Sequence, residues 1–345
     1  MGKNRLAYLD TLRGFTMLLV VWHHVADYSF NLKIEDSILM EIFISFRMPM
    51  FFFISGYIAY KELSYWTLNN TLSRTIKKAQ VQLIPTLVFW FAGMILLFSV
   101  PIIEIPRMFT ISFPGYWWFT VALFIMFISY YVANIIANYT HTHWLVFPLL
   151  ISLIIIFALF KNVFQGQNIA EIFALPGVAR FYMFFVFGLF IRSQQTRFFL
   201  ILQNRWFVTG CIIVVCILTY LSYGASLNYS HNLRAFIRTI IGFPFVIVVF
   251  NAFYRLSEFW ECDNWLSRSL RFIGRRTLDL YMLHFFFIPN MNYITPYIIG
   301  VNQAVPQFFV ITLVTMGIVA LCLAVSGTLR TSPILAKYLF GVSSK

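Results

Sequence analysis

Apolar runs of about twenty residues follow one another along this chain with little between them, and that is the length a helix needs to cross a bilayer. They lie near residues 14–30, 40–60, 80–100, 116–137, 144–160, 175–192, 206–224, 234–253, 278–298 and 305–326. Hydrophobic residues make up 60% of the 345 and charged residues 11%, against about 25% charged in soluble domains. A water-soluble fold cannot cover so much apolar side chain with so little charge. The chain therefore reads as an all-α integral membrane protein, a bundle of about ten transmembrane helices. It forms a single domain over residues 1–345, with no room for an appended soluble one.

The net charge of +13 would point to nucleic acid in a soluble domain. In a membrane protein it reflects Lys and Arg gathered in cytoplasmic loops. With the N-terminus inside, the inner segments collect Lys3, Arg5 and Arg13; Lys61, Arg74, Lys77 and Lys78; Arg192, Arg197 and Arg205; Arg255, Arg268, Arg271, Arg275 and Arg276; and Arg330, Lys337 and Lys345. Only Lys33, Arg47, Arg107, Lys161, Arg180, Arg234 and Arg238 fall elsewhere. This predicts both termini in the cytoplasm, the lipid bilayer as the surroundings and no nucleic-acid partner. The loop "NYTHTH" between the fourth and fifth runs has no Lys or Arg, so charge does not orient that turn. Cys211, Cys216, Cys262 and Cys322 make no close pair beside a histidine, which predicts neither a disulfide framework nor a metal site. The start "MGKNRL" has Leu6 where a myristoylation signal has Ser or Thr, and the first run lacks a small-x-small cleavage site, so it reads as a retained span.

That first run, "LRGFTMLLVVWHHVADY" (Leu12 to Tyr28), carries ionisable groups, which are costly inside a membrane and commonly functional. At 100° per residue, His24 returns to within about 20° of Arg13 and lies about 16 Å further along the axis. His23 points about 80° away. Asp27 is three residues beyond His24 and Asp10 three before Arg13, so one stripe holds Asp10, Arg13, His24 and Asp27. Arg13 at the cytoplasmic mouth suits a phosphate. His24 lies deeper, beside a carboxylate that can fix its tautomer. A ligand with phosphates at one end and a reactive group on a long arm could touch both, and acyl-coenzyme A has that shape. Two plainer readings stand beside this one. An arginine at a span end commonly sets topology, and a histidine inside a span can bond a neighbouring helix.

These residues resemble the membrane-bound acyltransferase-3 family, whose first span carries an arginine, ten residues and a histidine, as in "RGFTMLLVVWHH" (Arg13 to His24). The resemblance extends along the chain. "FRMPMFFFISGY" (Phe46 to Tyr57) is similar to the family's second-span motif, "YWWF" (Tyr116 to Phe119) to its tryptophan-bearing fourth span, and "IGRRTLDLYMLH" (Ile273 to His284) to its late glycine, tyrosine and histidine pattern. In "LSRTIKKAQVQLIP", Gln82 stands where the family pattern has arginine. The resemblance implies a stand-alone carbohydrate O-acyltransferase of the bacterial cytoplasmic membrane. It would transfer an acyl group, most often acetyl, from cytoplasmic acetyl-CoA to a hydroxyl of a cell-surface or exported carbohydrate or glycolipid. In that picture His24 is the general base, and Arg13, Arg74, Lys77 and Lys78 hold the coenzyme A phosphates.

Other residues carry two readings each. Arg47 can stabilise charge on the reacting carbonyl or pair structurally with Asp27 or Glu41. Ser55-Gly56 reads as a small-residue helix contact rather than a nucleophile. Trp117 and Trp118 can line a sugar site or belong to an interfacial belt. Tyr281 and His284, one turn apart, can touch substrate or form a polar network in the core. The run Arg268–Arg276 is a positive-inside loop with a secondary role near phosphate in view. A transporter or flippase of a lipid-linked glycan or other anion is the competing class. Transporters commonly show inverted repeats, and no repeat is visible in this chain. The helical phase makes a direct prediction: His24→Ala removes acyl transfer, whereas His23→Ala retains most of it when both proteins reach the membrane. The opposite ranking in a transfer assay rejects the phase.

Overall fold

The computed structural model describes residues 7–34, 37–62, 65–163, 168–224, 231–298 and 304–342, which are mostly helical with no strand among them. Lys3, Arg5, the rest of the "MGKNRL" start and Lys345 lie outside the described residues. The main helices in chain order are α1 (Ala7–His24), α2 (Ile38–Ala59), α3 (Leu68–Leu96), α4 (Trp118–Tyr139), α5 (Val146–Val163), α6 (Leu175–Ser193), α7 (Arg205–Thr219), α8 (His231–Arg255), α9 (Trp265–Arg275), α10 (Thr277–Leu283), α11 (Ala304–Leu329) and α12 (Pro333–Phe340). Among the described residues, eight helical stretches are long and apolar enough to cross a membrane: Ile38–Ala59, Leu68–Leu96, Gly115–Tyr139, His143–Phe160, Leu175–Ser193, Arg205–Ser222, Phe236–Arg255 and Ala304–Leu329. The chain is a multi-pass integral membrane protein. The turn through "NYTHTH" separates two of these helices, as the sequence predicts.

Two of the ten predicted spans take a different form. The first begins at Ala7 rather than residue 14 and passes at His24 into a π turn, Val25–Ser29. Its polar ends keep it outside the set of eight apolar helices. The stretch 278–298 is not one helix. α10 ends at Leu283, a 3₁₀ turn covers His284–Phe287, and the chain then runs without helix through Pro289 to a second 3₁₀ turn at Asn292–Ile294. Pro289 has no N–H to give, its ring would clash with the Phe285 carbonyl in a helix, and it disfavours helix at Ile288. Helix α3 departs in the other direction, starting at Leu68 instead of residue 80, where the Thr67 hydroxyl caps it by accepting from the Asn70 N–H at 3.3 Å.

The chain divides into two compact units, Met1–Ile54 with Gln194–Leu323, and Ser55–Ser193 with Ala324–Lys345. In the first, α1 is enclosed by protein on almost every side. Tyr8, Leu9, Leu12, Met17, Val20, Val21 and Trp22 are all buried. Helix α9, started by the Asn264 side chain accepting from the Ser267 N–H at 2.8 Å, lies along it. Two glycines permit the approach. A Cβ on Gly14 would strike the Leu270 carbonyl, and one on Gly274 would strike the Asp10 carbonyl. In the second unit, the end of α2 and helices α3, α4 and α6 pack by the same device. Gly56 lies against the Phe185 backbone, Gly93 against the Trp117 ring and Gly177 against the Trp118 ring. Gly56 thus has the packing role that the sequence assigns to the Ser55-Gly56 pair.

At Gly274 the obstacle is backbone, which cannot move aside as a side chain can. Gly274→Val is expected to destabilise the protein by about 1–3 kcal/mol or more, read as a lower melting temperature in detergent. Gly317→Ala, where a Cβ meets open space, should leave it unchanged or slightly raised.

Candidate active site

The polar stripe of α1 is met by the chain between Arg275 and His284, in the same order. Asp10, buried in the first full turn, accepts from Arg275 Nε at 3.1 Å. Arg13 donates from Nη2 to the Thr277 hydroxyl at 3.0 Å. His24 Nδ1 lies 2.8 Å from His284 Nε2. The two imidazoles are nearly coplanar, 9° apart, with centroids at 5.0 Å, the arrangement of an in-plane hydrogen bond between rings. His284 is fully buried, and its Nδ1 lies 2.9 Å from the Leu280 carbonyl oxygen. Phe285 packs on both histidines, with centroids 4.9 Å from His24 and 4.0 Å from His284. On the opposite side of α1, Trp22 donates from Nε1 to the Thr312 hydroxyl at 3.2 Å.

Two further bonds hold the chain beyond His284 onto the chain beyond His24. The Met291 N–H donates to the Ser29 carbonyl at 2.8 Å, and the Thr295 hydroxyl donates to the Phe30 carbonyl at 2.6 Å. The imidazole pair therefore sits between Arg13–Thr277 on one side and these two bonds on the other.

The residue at the His24 ring is not the one expected. Asp27 is exposed and makes no hydrogen bond to His24. A π turn closes i→i+5 bonds and takes more residues per revolution than an α turn. Three residues past His24 thus fall short of the same face, and His284 occupies the place expected for the carboxylate. Arg47 is buried on α2, and its charge acts on His23, His24, Asp27 and His284. Its expected alternative partner Glu41 is engaged elsewhere. Glu41 Oε2 takes Arg238 Nη2 at 2.6 Å and Oε1 takes Arg238 Nε at 2.9 Å, while Ser222 donates its hydroxyl to Oε1 at 2.6 Å. The sequence carried a signal for this pair: two opposite charges, each inside a predicted span and off the cytoplasmic side. His23 is buried, and its Nδ1 has no hydrogen-bond partner among the described residues. Tyr281 is buried beside His284, with ring centroids 6.1 Å apart.

The remaining predicted residues belong to the second unit. Arg74 donates from Nε to the Tyr65 hydroxyl at 2.6 Å and lies 4.4 Å above that ring, and Lys78 Nζ lies 3.6 Å from the centre of the Phe127 ring. Lys77 is exposed. Arg192 joins this group of ring-backed cations, donating to the Tyr57 hydroxyl at 3.2 Å. Gln82, in the place of the family arginine, is buried with its side-chain oxygen unbonded among the described residues. Trp117 has no exposed surface and fills the notch at Gly93, while Trp118 stacks on Phe181 at 5.9 Å. Both rings serve helix packing. Among the described residues no group of three His, Cys, Asp or Glu is placed to hold a metal ion.

The first unit thus joins an imidazole that can accept a proton to a buried guanidinium that can stabilise negative charge. A family model described as an acyltransferase domain, that of the acyltransferase-3 family, matches residues 6–325. No curated protein and no solved structure gives a match.

The Glu41–Arg238 pair is buried at both ends. Removing one partner leaves a charge without its counter-ion, which costs about 3–5 kcal/mol in buried pairs. Arg238→Met should therefore unfold at clearly lower temperature or denaturant, and Glu41→Leu added to it should restore most of the loss. A double variant no more stable than the single one contradicts this account.

Proposed function

Because the chain belongs to the acyltransferase-3 family, we propose that it transfers an acetyl group from cytoplasmic acetyl-CoA to a hydroxyl of a cell-surface or exported carbohydrate in a bacterial cytoplasmic membrane. The observation that carries the reading is the half-buried imidazole of His24, held in the plane of a second imidazole and within the field of Arg47. His24 takes the proton of the acceptor hydroxyl as its oxygen attacks the thioester carbonyl. A carbon–oxygen bond forms, and negative charge on the former carbonyl oxygen is stabilised by Arg47. The carbon–sulfur bond then breaks, and the departing thiolate receives the proton from His24. Atoms and charge balance without a covalent enzyme intermediate.

Arg13, about 16 Å from His24 along the axis of α1, takes a phosphate of the donor. The family pattern adds Arg74, Lys77 and Lys78. An extended pantetheine arm is comparable to the Arg13–His24 gap, so the nucleotide stays at the cytoplasmic end while the thioester reaches the imidazole. The acceptor approaches from the far side of His24.

Ester-linked acetyl on surface glycans should be present in cells carrying the gene, absent without it and absent when the restored copy is His24→Ala. Unchanged glycans in all three strains reject this acceptor class. For the donor, coenzyme A should raise the melting temperature of the purified protein. Arg13→Ala should weaken binding by about 10–100-fold, the loss of one charge-assisted hydrogen bond, and Arg107→Ala should not. An anion transporter indifferent to coenzyme A would show no such shift.

A further inference from the structure

The distances around His284 fix where the hydrogens lie. A carbonyl oxygen can only accept, so His284 Nδ1, 2.9 Å from the Leu280 oxygen, carries a hydrogen. His284 is fully buried, no described carboxylate touches it, and the positive charge of Arg47 already acts on it. A second hydrogen would create a buried cation with no carboxylate against it, and the Leu280 and Tyr281 backbone offsets only part of the desolvation cost. The ring is therefore neutral and its Nε2 is a bare acceptor. The atom 2.8 Å from that nitrogen is His24 Nδ1, which must be the donor. A neutral His24 with hydrogen on Nδ1 has its lone pair on Nε2, the nitrogen turned away from the pair.

We propose that His284 is the positioning residue that holds His24 as its Nδ1–H tautomer, so that Nε2 is the atom that accepts the proton of the substrate hydroxyl. The Leu280 carbonyl orients His284, His284 orients His24, and a neutral imidazole does what a carboxylate does in other catalytic histidine pairs. When Nε2 takes its proton, the Nδ1–H···Nε2 bond becomes charge-assisted and strengthens. The positive charge on His24 is then met by a lone pair already aimed at it. The effect on rate rests on the reading of His24 as the base, but the tautomer does not.

Two substitutions separate this role from simple packing. His284→Gln keeps an acceptor oxygen near the position of Nε2 and gives up the hydrogen bond to Leu280. His284→Asn keeps a donor near Nδ1 for Leu280 and gives up the acceptor toward His24. Nitrogen-15 spectra of histidine-labelled protein in lipid, with the His24 signals assigned by their loss in His24→Ala, read the hydrogen position directly. In the unaltered protein and in His284→Gln the hydrogen is expected on Nδ1, and in His284→Asn it should move wholly or partly to Nε2. In the transfer assay His284→Asn should lower kcat by about 10²–10⁴-fold, the worth of a general base, with KM for acetyl-CoA unchanged, while His284→Gln retains most of kcat.

A hydrogen on Nε2 of His24 in the unaltered protein overturns the proposal without any variant having to fold. So does the reverse ranking, with Asn tolerated and Gln not, since that is the signature of anchoring to Leu280 alone. If no acyl transfer is found at all, the functional reading fails, and the spectra of the unaltered protein still decide the tautomer.

Discussion

Hydrocarbon offers no hydrogen bonds, so every polar group that a helix carries into a membrane must be met by the protein itself. α1 carries Asp10, Arg13, His23 and His24, and most of the arrangement in the first unit follows from meeting them. The close approach of α9 to α1, possible because Gly14 and Gly274 lack side chains, brings the backbones near enough for short side chains to span the gap. Asp10 then reaches Arg275, Arg13 reaches Thr277, and His24 reaches His284 where α10 ends. The glycine contact and the imidazole pair are two ends of one packing solution. The polar stripe survives in a membrane because another segment is fitted along its length.

The spacing within the first span was legible. One face holds Arg13 and His24, and both find their partners between residues 277 and 284. Which segment covers it was not legible, since the answering residues lie 260 or more positions away and periodicity says nothing about partners. Asp27 shows the limit of counting at 100° per residue, because a single π turn after His24 moves it off the stripe. The broken stretch after Leu283 is a plainer case. Its apolar composition reads as a span, but Pro289 decides the backbone. Glu41 and Arg238, 197 positions apart, were each visible as a charge inside a predicted helix and became meaningful only as a pair.

The second unit handles charge differently. Arg74, Lys78 and Arg192 each lie over an aromatic ring, and Arg74 and Arg192 also bond a tyrosine hydroxyl. A cation backed by a ring keeps its charge while losing some side-chain freedom. Gln82, buried on the same helix as Arg74 and Lys78, stands where the family pattern has one more cation.

The bonds from Met291 to Ser29 and from Thr295 to Phe30 have a bearing on motion. With Arg13–Thr277 they pin the two stretches of backbone on either side of the histidines, as a beam is fixed at both ends. Displacements that tilt or spread the surrounding helices are carried past the pair rather than into it. The separation of the two rings is left to their own torsions, which Phe285 restricts from one face. Backbone fluctuation then contributes little to the distance over which the hydrogen is shared.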